Sequence, residues 1–199
     1  FGFIEIGTVT PKAQLGNPKP RLFRIRSSKA LVNKMGFNNK GVDYLISNLK
    51  NKKTDITIGI SIGKNFDTPN ELAYKDYITC LDKIYEFADY IAINISSPNT
   101  EGLRNLEAKK ELNNLLSKIK HRQLTLSKDY GYKPLFLKIS PDNDEERLRD
   151  ICEVVKELSI DGMICTNTTV NHNFASGMGG MSGRPLRELS IKTLKFCRE

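Results

Sequence analysis

The stretch "YIAINISSPNT", residues 90–100, decides which fold the sequence predicts. Its first part, 90–95, is an apolar run typical of a buried strand, and only Asn94 interrupts it. The chain then continues without a gap into a cluster of small polar residues, 96–100. A buried strand that ends on polar groups is typical of parallel α/β proteins, in which the carboxyl ends of the strands form the ligand site.

The same change of period repeats along the chain. Short apolar runs at 56–63, 134–140 and 162–169 are each followed by a segment with helical spacing of its apolar residues. These helices are predicted at 67–88, 105–126, 142–159 and 184–197. Such a pattern predicts a parallel sheet buried on both faces. Two architectures satisfy it, the open doubly wound sheet and the closed (β/α)8 barrel.

Three local features add to this outline. The segment 3–25 has short β runs joined by Pro and Gly, which indicates one strand and a small antiparallel decoration. Asp67 or Thr68 is expected to cap the first helix of the repeating part. The glycine-rich stretch "GMGGMSGRP", 177–185, either presents backbone N–H groups to a flavin or phosphate or forms a flexible turn.

Composition excludes several classes of function. The 199 residues carry a net charge of +8, but the basic residues are scattered, so nucleic-acid binding is not expected. An anionic small ligand or an anionic membrane surface fits the charge better. The four cysteines form no CxxC pair and are expected to be reduced and buried. The two histidines have no partner at metal-ligand spacing, so no metal is expected.

Every strand of this outline runs into amides, hydroxyls or a lysine. Such groups suit a flat heterocycle with carbonyls and ring nitrogens, although they also cap strands and form turns. No carboxylate pair and no GxGxxG sequence follows a strand, which argues against a glycosidase and a Rossmann nicotinamide site. Lys138 must reach an anion or water, either a flavin whose developing negative charge it stabilises or the solvent at the rim.

Several motifs together resemble one family, the quinone-linked, membrane-associated dihydroorotate dehydrogenases of bacterial pyrimidine biosynthesis. The matching stretches are "FIEIGTVTPKAQLGNPKPRLFR", "NKMGFNNKG", "GKN", "ADYIAINISSPNTEGLR", "LKISPD", "DGMICTNTT" and "GGMSGRPL". The resemblance implies a (β/α)8 barrel that binds FMN, of which residues 1–199 are an incomplete single domain. It also implies an N-terminal extension, outside this chain, for quinone and peripheral membrane contact.

The resemblance implies an activity as well. Dihydroorotate is oxidised to orotate for UMP synthesis, a hydride passes to FMN, a base takes a proton, and ubiquinone receives the electrons. The expected location is the cytoplasmic face of the bacterial inner membrane. Two alternatives stay open: a cytosolic-type relative that uses fumarate or NAD, which Ser97 disfavours because such relatives have Cys there, and a non-catalytic truncated product.

The resemblance also assigns roles to single residues. Ser97 matches the catalytic base, and Thr100 and Phe37 match its proton path. The residues that match the substrate pocket are Asn33, Asn94, Asn99, Asn167 and Thr168. The residues that match FMN contacts are Thr8, Ser61, Asn94, Lys138, Thr166, Asn167, Ser182 and Gly183. Ser61 replaces an Asn found in many relatives, and its side chain is shorter.

Overall fold

The computed structural model describes residues 2–50 and 55–198. Its strands are β1 Phe3–Val9, β2 Leu22–Ile25, β3 Ala30–Asn33, β4 Thr57–Ile62, β5 Tyr90–Asn94, β6 Leu135–Ile139, β7 Gly162–Cys165 and β8 Gly180–Gly183. Its α-helices are α1 Val42–Leu49, α2 Ala73–Ile84, α3 Lys109–Tyr130, α4 Glu145–Glu157 and α5 Arg187–Arg198. Within the described residues, no helix is both long and apolar enough to cross a membrane.

Five parallel strands form the main sheet, in the order β1-β4-β5-β6-β7. The strands of this sheet are arranged in their chain order, and one α-helix lies between each neighbouring pair. Crossovers of one hand then place every helix on the same face. Ile60, Ile93 and Leu137 point to that face and belong to one buried core with apolar residues of the helices. This arrangement is that of a (β/α)8 barrel, here incomplete, and not that of a doubly wound sheet.

The opposite, inner face of the sheet is lined by side chains of its own strands and packs against no described helix. The rings of Tyr90 and Phe136 meet edge to face with centroids 5.3 Å apart. Gly59 leaves room for this pair, because a Cβ there would lie 1.9 Å from the Tyr90 ring. Of the two predicted architectures, the barrel is the one in which helices pack against the outer face alone, as they do here.

The helices follow the predicted periodicity but not the predicted cap. Leu112, Leu116 and Ile119 of α3 are fully buried, as their spacing predicts. The α2 helix, however, begins at Ala73 after a single 3-10 turn, so neither Asp67 nor Thr68 caps it. The Thr68 hydroxyl instead donates to the carboxylate of Asp76 in α2 at 2.7 Å.

The four cysteines are free thiols but not all buried. Cys80 is buried in the main core, which raises the pKa of its thiol. Cys152, Cys165 and Cys197 are only half-buried, and the Cys197 thiol contacts the other two where α4, β7 and α5 meet. The expected burial is thus correct for one cysteine only.

A second, antiparallel sheet of order β2-β3-β8 lies over the carboxyl ends of the main strands. Residues 180–183 of the glycine-rich stretch form β8, which pairs with β3, and the Met181 N–H donates to the Thr169 carbonyl. Gly180 packs directly on the loops below, because a Cβ there would lie 1.9 Å from Thr168 Oγ1 and 3.0 Å from Pro98 Cγ. This small sheet therefore covers the loops that follow β5 and β7.

Candidate active site

A hydrogen-bonded group of four side chains joins the carboxyl ends of β1, β4, β5 and β7. We call this group, Thr8, Ser61, Asn94 and Asn167, the amide cluster. The hydroxyls of Thr8 and Ser61 lie 2.9 Å apart, and Asn94 Nδ2 donates to Thr8 Oγ1 at 2.8 Å. Asn167 Nδ2 donates to Asn94 Oδ1 at 3.3 Å. The residue that interrupts the apolar run of β5 is therefore the centre of the cluster.

Burial explains why the strand can contain Asn94. A buried amide costs free energy unless its hydrogen bonds are made. Asn94 is 4% exposed, its Oδ1 accepts the Ser96 N–H at 3.3 Å, and its carbonyl accepts the Tyr77 hydroxyl at 2.9 Å. These contacts hold the backbone at the point where the strand becomes a loop.

A second group lies around Asn99. Its Nδ2 donates to the carbonyl and to Oδ1 of Asn33 at 3.1 and 3.2 Å, which ties the β5 loop to β3. Its backbone N–H donates to Ser97 Oγ at 3.3 Å. Asn17 donates to the Asn99 carbonyl at 3.1 Å. Ser97 is 6% exposed, so the loop buries it, and its Oγ is held by the Asn99 N–H.

The two other residues of the predicted proton path have unusual environments. Thr100 is 3% exposed, and its hydroxyl has no hydrogen-bond partner within residues 2–50 and 55–198. Phe37 has a left-handed backbone, φ 52°, and its ring lies 3.0 Å from the position of a Cβ on Gly63, beside the Thr8 methyl. Both residues lie next to loops of the site, and their roles remain predictions.

Lys138 lies on the inner face of the sheet. It stands opposite Asn94 in the β5–β6 register, and its Nζ is 3.6 Å from Glu5 Oε1 of β1. Glu5 also accepts the Tyr90 hydroxyl at 3.3 Å. The Glu5 carboxylate is thus one anionic partner of Lys138.

The remaining predicted residues fall into two sets. Thr166 and Thr168 flank Asn167 and bond to it, the first to its carbonyl at 2.9 Å and the second, through its N–H, to its Oδ1 at 2.8 Å. Ser182 and Gly183 lie on β8 opposite β3, where Ser182 Oγ donates to the Leu31 carbonyl at 3.4 Å. Their contacts connect them with the small sheet and not with the amide cluster.

Two polar residues after β4 serve the fold. Lys64 is 2% exposed and donates to the Thr68 carbonyl at 2.8 Å, and burial lowers the pKa of its ammonium. Asn65 donates to the Lys12 carbonyl at 2.9 Å and to the side chain of Gln14 at 2.8 Å. Lys64 therefore holds the loop after β4 together, and Asn65 holds the N-terminal segment against that loop.

Three charged residues beside the site were not foreseen from the sequence. Arg104 pairs with Asp142 at 2.8 Å, between the loops after β5 and β6. Glu107 is 2% exposed and accepts the Ser140 N–H at 2.7 Å, and burial raises the pKa of its carboxyl to about 7. Arg104 and Asp142 end two of the stretches that carry the family resemblance, but neither the motifs nor a position shortly after a strand end indicates these contacts.

The chemistry of these residues fits FMN. Amides and hydroxyls of the amide cluster can donate to ring carbonyls and accept from ring N–H groups. Lys138, next to Asn94, supplies a cation at the same end of the sheet. The Thr100 hydroxyl has donor and acceptor capacity that no described residue uses. The site is therefore a polar, largely buried surface at the carboxyl ends of parallel strands, where barrel enzymes bind their ligands.

Fold and site together define a barrel protein that presents buried amides and hydroxyls at the carboxyl ends of its strands. The sequence matches the family described as dihydroorotate dehydrogenase over residues 1–199, and the chain belongs to that family.

Curated relatives agree with this assignment. The chain is 50% identical over 206 residues to the dihydroorotate dehydrogenase (quinone) of Aliivibrio salmonicida (strain LFI1238), which covers all of this chain and 61% of that protein. It is 51% identical over 202 residues to the protein of the same name from Shewanella sp. (strain ANA-3), covering 98% and 60%. The chain thus spans about three-fifths of the length of these relatives.

Solved structures agree with the fold. The Eimeria tenella enzyme DHODH in complex with ferulenol superposes with a TM-score of 0.91 at 37% identity, covering 99% of this chain and 60% of that one. The ligand-free form superposes with a TM-score of 0.89 at the same identity, covering 100% and 63%. At this identity and coverage, the incomplete barrel described above is the family fold.

Glu107 makes stability depend on pH. Its carboxyl pKa rises from 4.5 when unfolded to about 7 when folded, so its contribution is fully present below pH 4.5 and is lost as pH rises through 7. We expect the free energy of unfolding to fall by about 3 kcal/mol across this range relative to Glu107→Gln. Urea denaturation at several pH values measures this. Glu111→Gln, at an exposed glutamate of α3, is the control, and a pH-independent difference between wild type and Glu107→Gln would contradict the prediction.

The Thr100 hydroxyl makes no hydrogen bond with any described residue, so it adds no hydrogen-bond energy to the fold. Thr100→Val should therefore change the free energy of unfolding by less than about 0.5 kcal/mol. Thr10→Val is the matched change at a buried hydroxyl that donates to the Lys12 carbonyl at 2.7 Å and accepts from Asn39. That variant should lose about 1–3 kcal/mol, because it leaves buried partners unpaired. Equal losses in the two variants, measured by urea denaturation, would show that Thr100 Oγ1 has a structural partner.

Proposed function

We propose that this chain is part of an FMN-dependent dihydroorotate dehydrogenase that oxidises dihydroorotate to orotate and passes the electrons to ubiquinone. Residues 1–199 would form part of a single FMN-binding barrel domain. The observation on which this rests is the placement of Ser97, a buried residue in the loop after β5 that lies along the chain between Asn94 of the amide cluster and Asn99 of the Asn33–Asn99 pair. The family membership and the names of the quinone-type relatives support it.

Ser97 is proposed as the base that takes a proton from the substrate carbon. A serine hydroxyl is a weak base, so it must release its own proton as it accepts another. Its oxygen accepts the Asn99 N–H, which orients the hydroxyl, and the unpartnered Thr100 hydroxyl is available to relay the proton with Phe37 excluding water. FMN, when bound, would supply the oxidising power as the acceptor of the hydride from the neighbouring carbon.

The amides are proposed to hold the substrate ring and its carboxylate. The pocket residues are Asn33, Asn94, Asn99, Asn167 and Thr168, of which Asn94 and Asn167 would also contact FMN. The other proposed FMN contacts are Thr8, Ser61, Lys138, Thr166, Ser182 and Gly183. Amides can both donate to carboxylate and carbonyl oxygens and accept from ring N–H groups, which matches dihydroorotate. Lys138 would stand at the end of the flavin where charge develops.

Ubiquinone is proposed as the second substrate because the similar bacterial proteins are named as quinone enzymes. A quinone is dissolved in lipid, so we propose peripheral contact with the cytoplasmic face of the bacterial inner membrane. The contact would be made by an N-terminal extension beyond this chain. Vesicle flotation of the full-length protein, with and without such an extension, tests this placement.

The assignment of Ser97 is tested with Ser97→Ala in the full-length flavoprotein. We expect reduction of the bound flavin by dihydroorotate to slow by about 10²–10⁴-fold, because general base catalysis is lost. FMN content should stay as in wild type. Anaerobic stopped-flow absorbance measures the rate, and Ser117→Ala, at a half-buried serine of α3 away from the site, is the control. An unchanged rate in Ser97→Ala would disprove the assignment.

The role of Lys138 is tested with Lys138→Met. Loss of the cation should lower the rate of flavin reduction by about a hundredfold or release FMN, because charge on the ring is no longer stabilised. Glu5→Gln removes the partner 3.6 Å away and leaves the cation in place, so this variant should keep its FMN. Flavin absorbance after gel filtration and stopped-flow reduction give both readouts. Wild-type binding and rate in Lys138→Met would refute the role.

A further inference from the structure

One guanidinium holds three loops of the site together. Arg104 Nε donates to the Ser96 carbonyl at 3.0 Å, in the loop after β5. One terminal nitrogen donates to the Thr168 carbonyl at 2.9 Å, in the loop after β7, and the other pairs with Asp142 at 2.8 Å, in the loop after β6. All three nitrogens of the side chain are therefore engaged, each with a different loop.

Asp142 makes further contacts with the loop after β7. One carboxylate oxygen accepts the Thr169 hydroxyl, and the other accepts the Val170 N–H at 3.0 Å. Its own N–H donates to Ser140 Oγ at 3.1 Å, which fixes it at the end of β6. The side chains of Arg104 and Asp142 are 22% and 17% exposed, so the pair is screened less than a surface salt bridge.

The carbonyls that Arg104 holds belong to residues adjoining the chemistry. The Ser96 carbonyl lies in the same planar peptide unit as the Ser97 N–H, so fixing that oxygen fixes the plane from which the Ser97 side chain departs. The Thr168 carbonyl lies in the residue after Asn167, the partner of Asn94 in the amide cluster. Neither loop has regular secondary structure to hold these carbonyls in place.

We propose that Arg104 is a positioning residue for the reaction, which sets the Ser97 hydroxyl and the Thr168 loop at the distances that catalysis requires. This inference rests on the function proposed above. Arg104 acts through the two backbone carbonyls and through Asp142. Small displacements of a catalytic group cost large factors in rate, so a residue that holds both loops affects the chemical step without taking part in it.

The geometry requires an arginine. The guanidinium is planar and donates in several fixed directions, whereas an ammonium is a point charge that cannot address two carbonyls and a carboxylate at once. Arg104→Lys therefore keeps the charge and most of the side-chain length, and it removes the planar connection between the loops. Arg122 of α3 is the matched control, because its Nε donates to Asp82 at 2.6 Å on the outer surface between α2 and α3.

The test compares Arg104→Lys with Arg122→Lys in the full-length, FMN-loaded protein. We expect flavin reduction at saturating dihydroorotate to slow by about tenfold to a hundredfold in Arg104→Lys and to stay unchanged in Arg122→Lys. FMN content and melting temperature should match wild type in both. Methylguanidinium should restore part of the rate to Arg104→Ala and leave Arg122→Ala unaffected, a rescue that loss of global stability would not produce.

Each outcome decides between the proposals. A wild-type protein that does not reduce its flavin with dihydroorotate would refute the proposed function and this inference with it. An active wild type with equal rates in the two lysine variants would refute the role of Arg104 alone. If Arg104→Lys loses FMN, Asp142→Asn takes its place, since it keeps the side-chain size and removes the charge. Slower flavin reduction with FMN retained in that variant supports the proposal, and a wild-type rate overturns it.

Discussion

Each strand of the main sheet has one face that packs against helices, and the rest of the structure depends on this constraint. Isoleucines and leucines such as Ile60, Ile93 and Leu137 occupy the outer face and form the core with the helices. The inner face has no helix to meet, so it must fill itself, and it does so with aromatic rings at one end and polar side chains at the other. The division between core and ligand site is thus a consequence of strand alternation.

At the polar end of this inner face, side chains from different strands hydrogen-bond to one another. Asn94 bonds to Thr8 and Asn167, and the aromatic end contributes Tyr90 to the Glu5 carboxylate that pairs with Lys138. Buried polar groups that are fully paired rigidify a structure, whereas an unpaired one is costly. The Thr100 hydroxyl stands apart from this pattern, because no described residue pairs with it.

Around the site, hydrogen bonds from charged side chains hold the loops in place where regular secondary structure is absent. The loops after β5, β6 and β7 are irregular, yet Arg104, Asp142 and Glu107 connect their backbones by hydrogen bonds. The small sheet adds a second restraint from above, since Gly180 packs on Thr168 and Pro98. A loop can then present reactive groups and still be held as closely as a strand.

The strands of the main sheet, the helices α2 to α5, the family and the polar residues at the strand ends can be predicted from the amino-acid sequence. They follow from local periodicity and short motifs, which act through neighbours in the chain. Tertiary packing decides that helices cover one face, that the glycine-rich stretch pairs with β3, and that Lys64 and Asn65 hold the loop after β4 and the N-terminal segment. It also decides that Arg104 meets Asp142, 38 residues away in the chain. Such contacts depend on how the elements pack. Packing brings together residues that are far apart in sequence, and no periodic pattern in the sequence predicts which of them will meet.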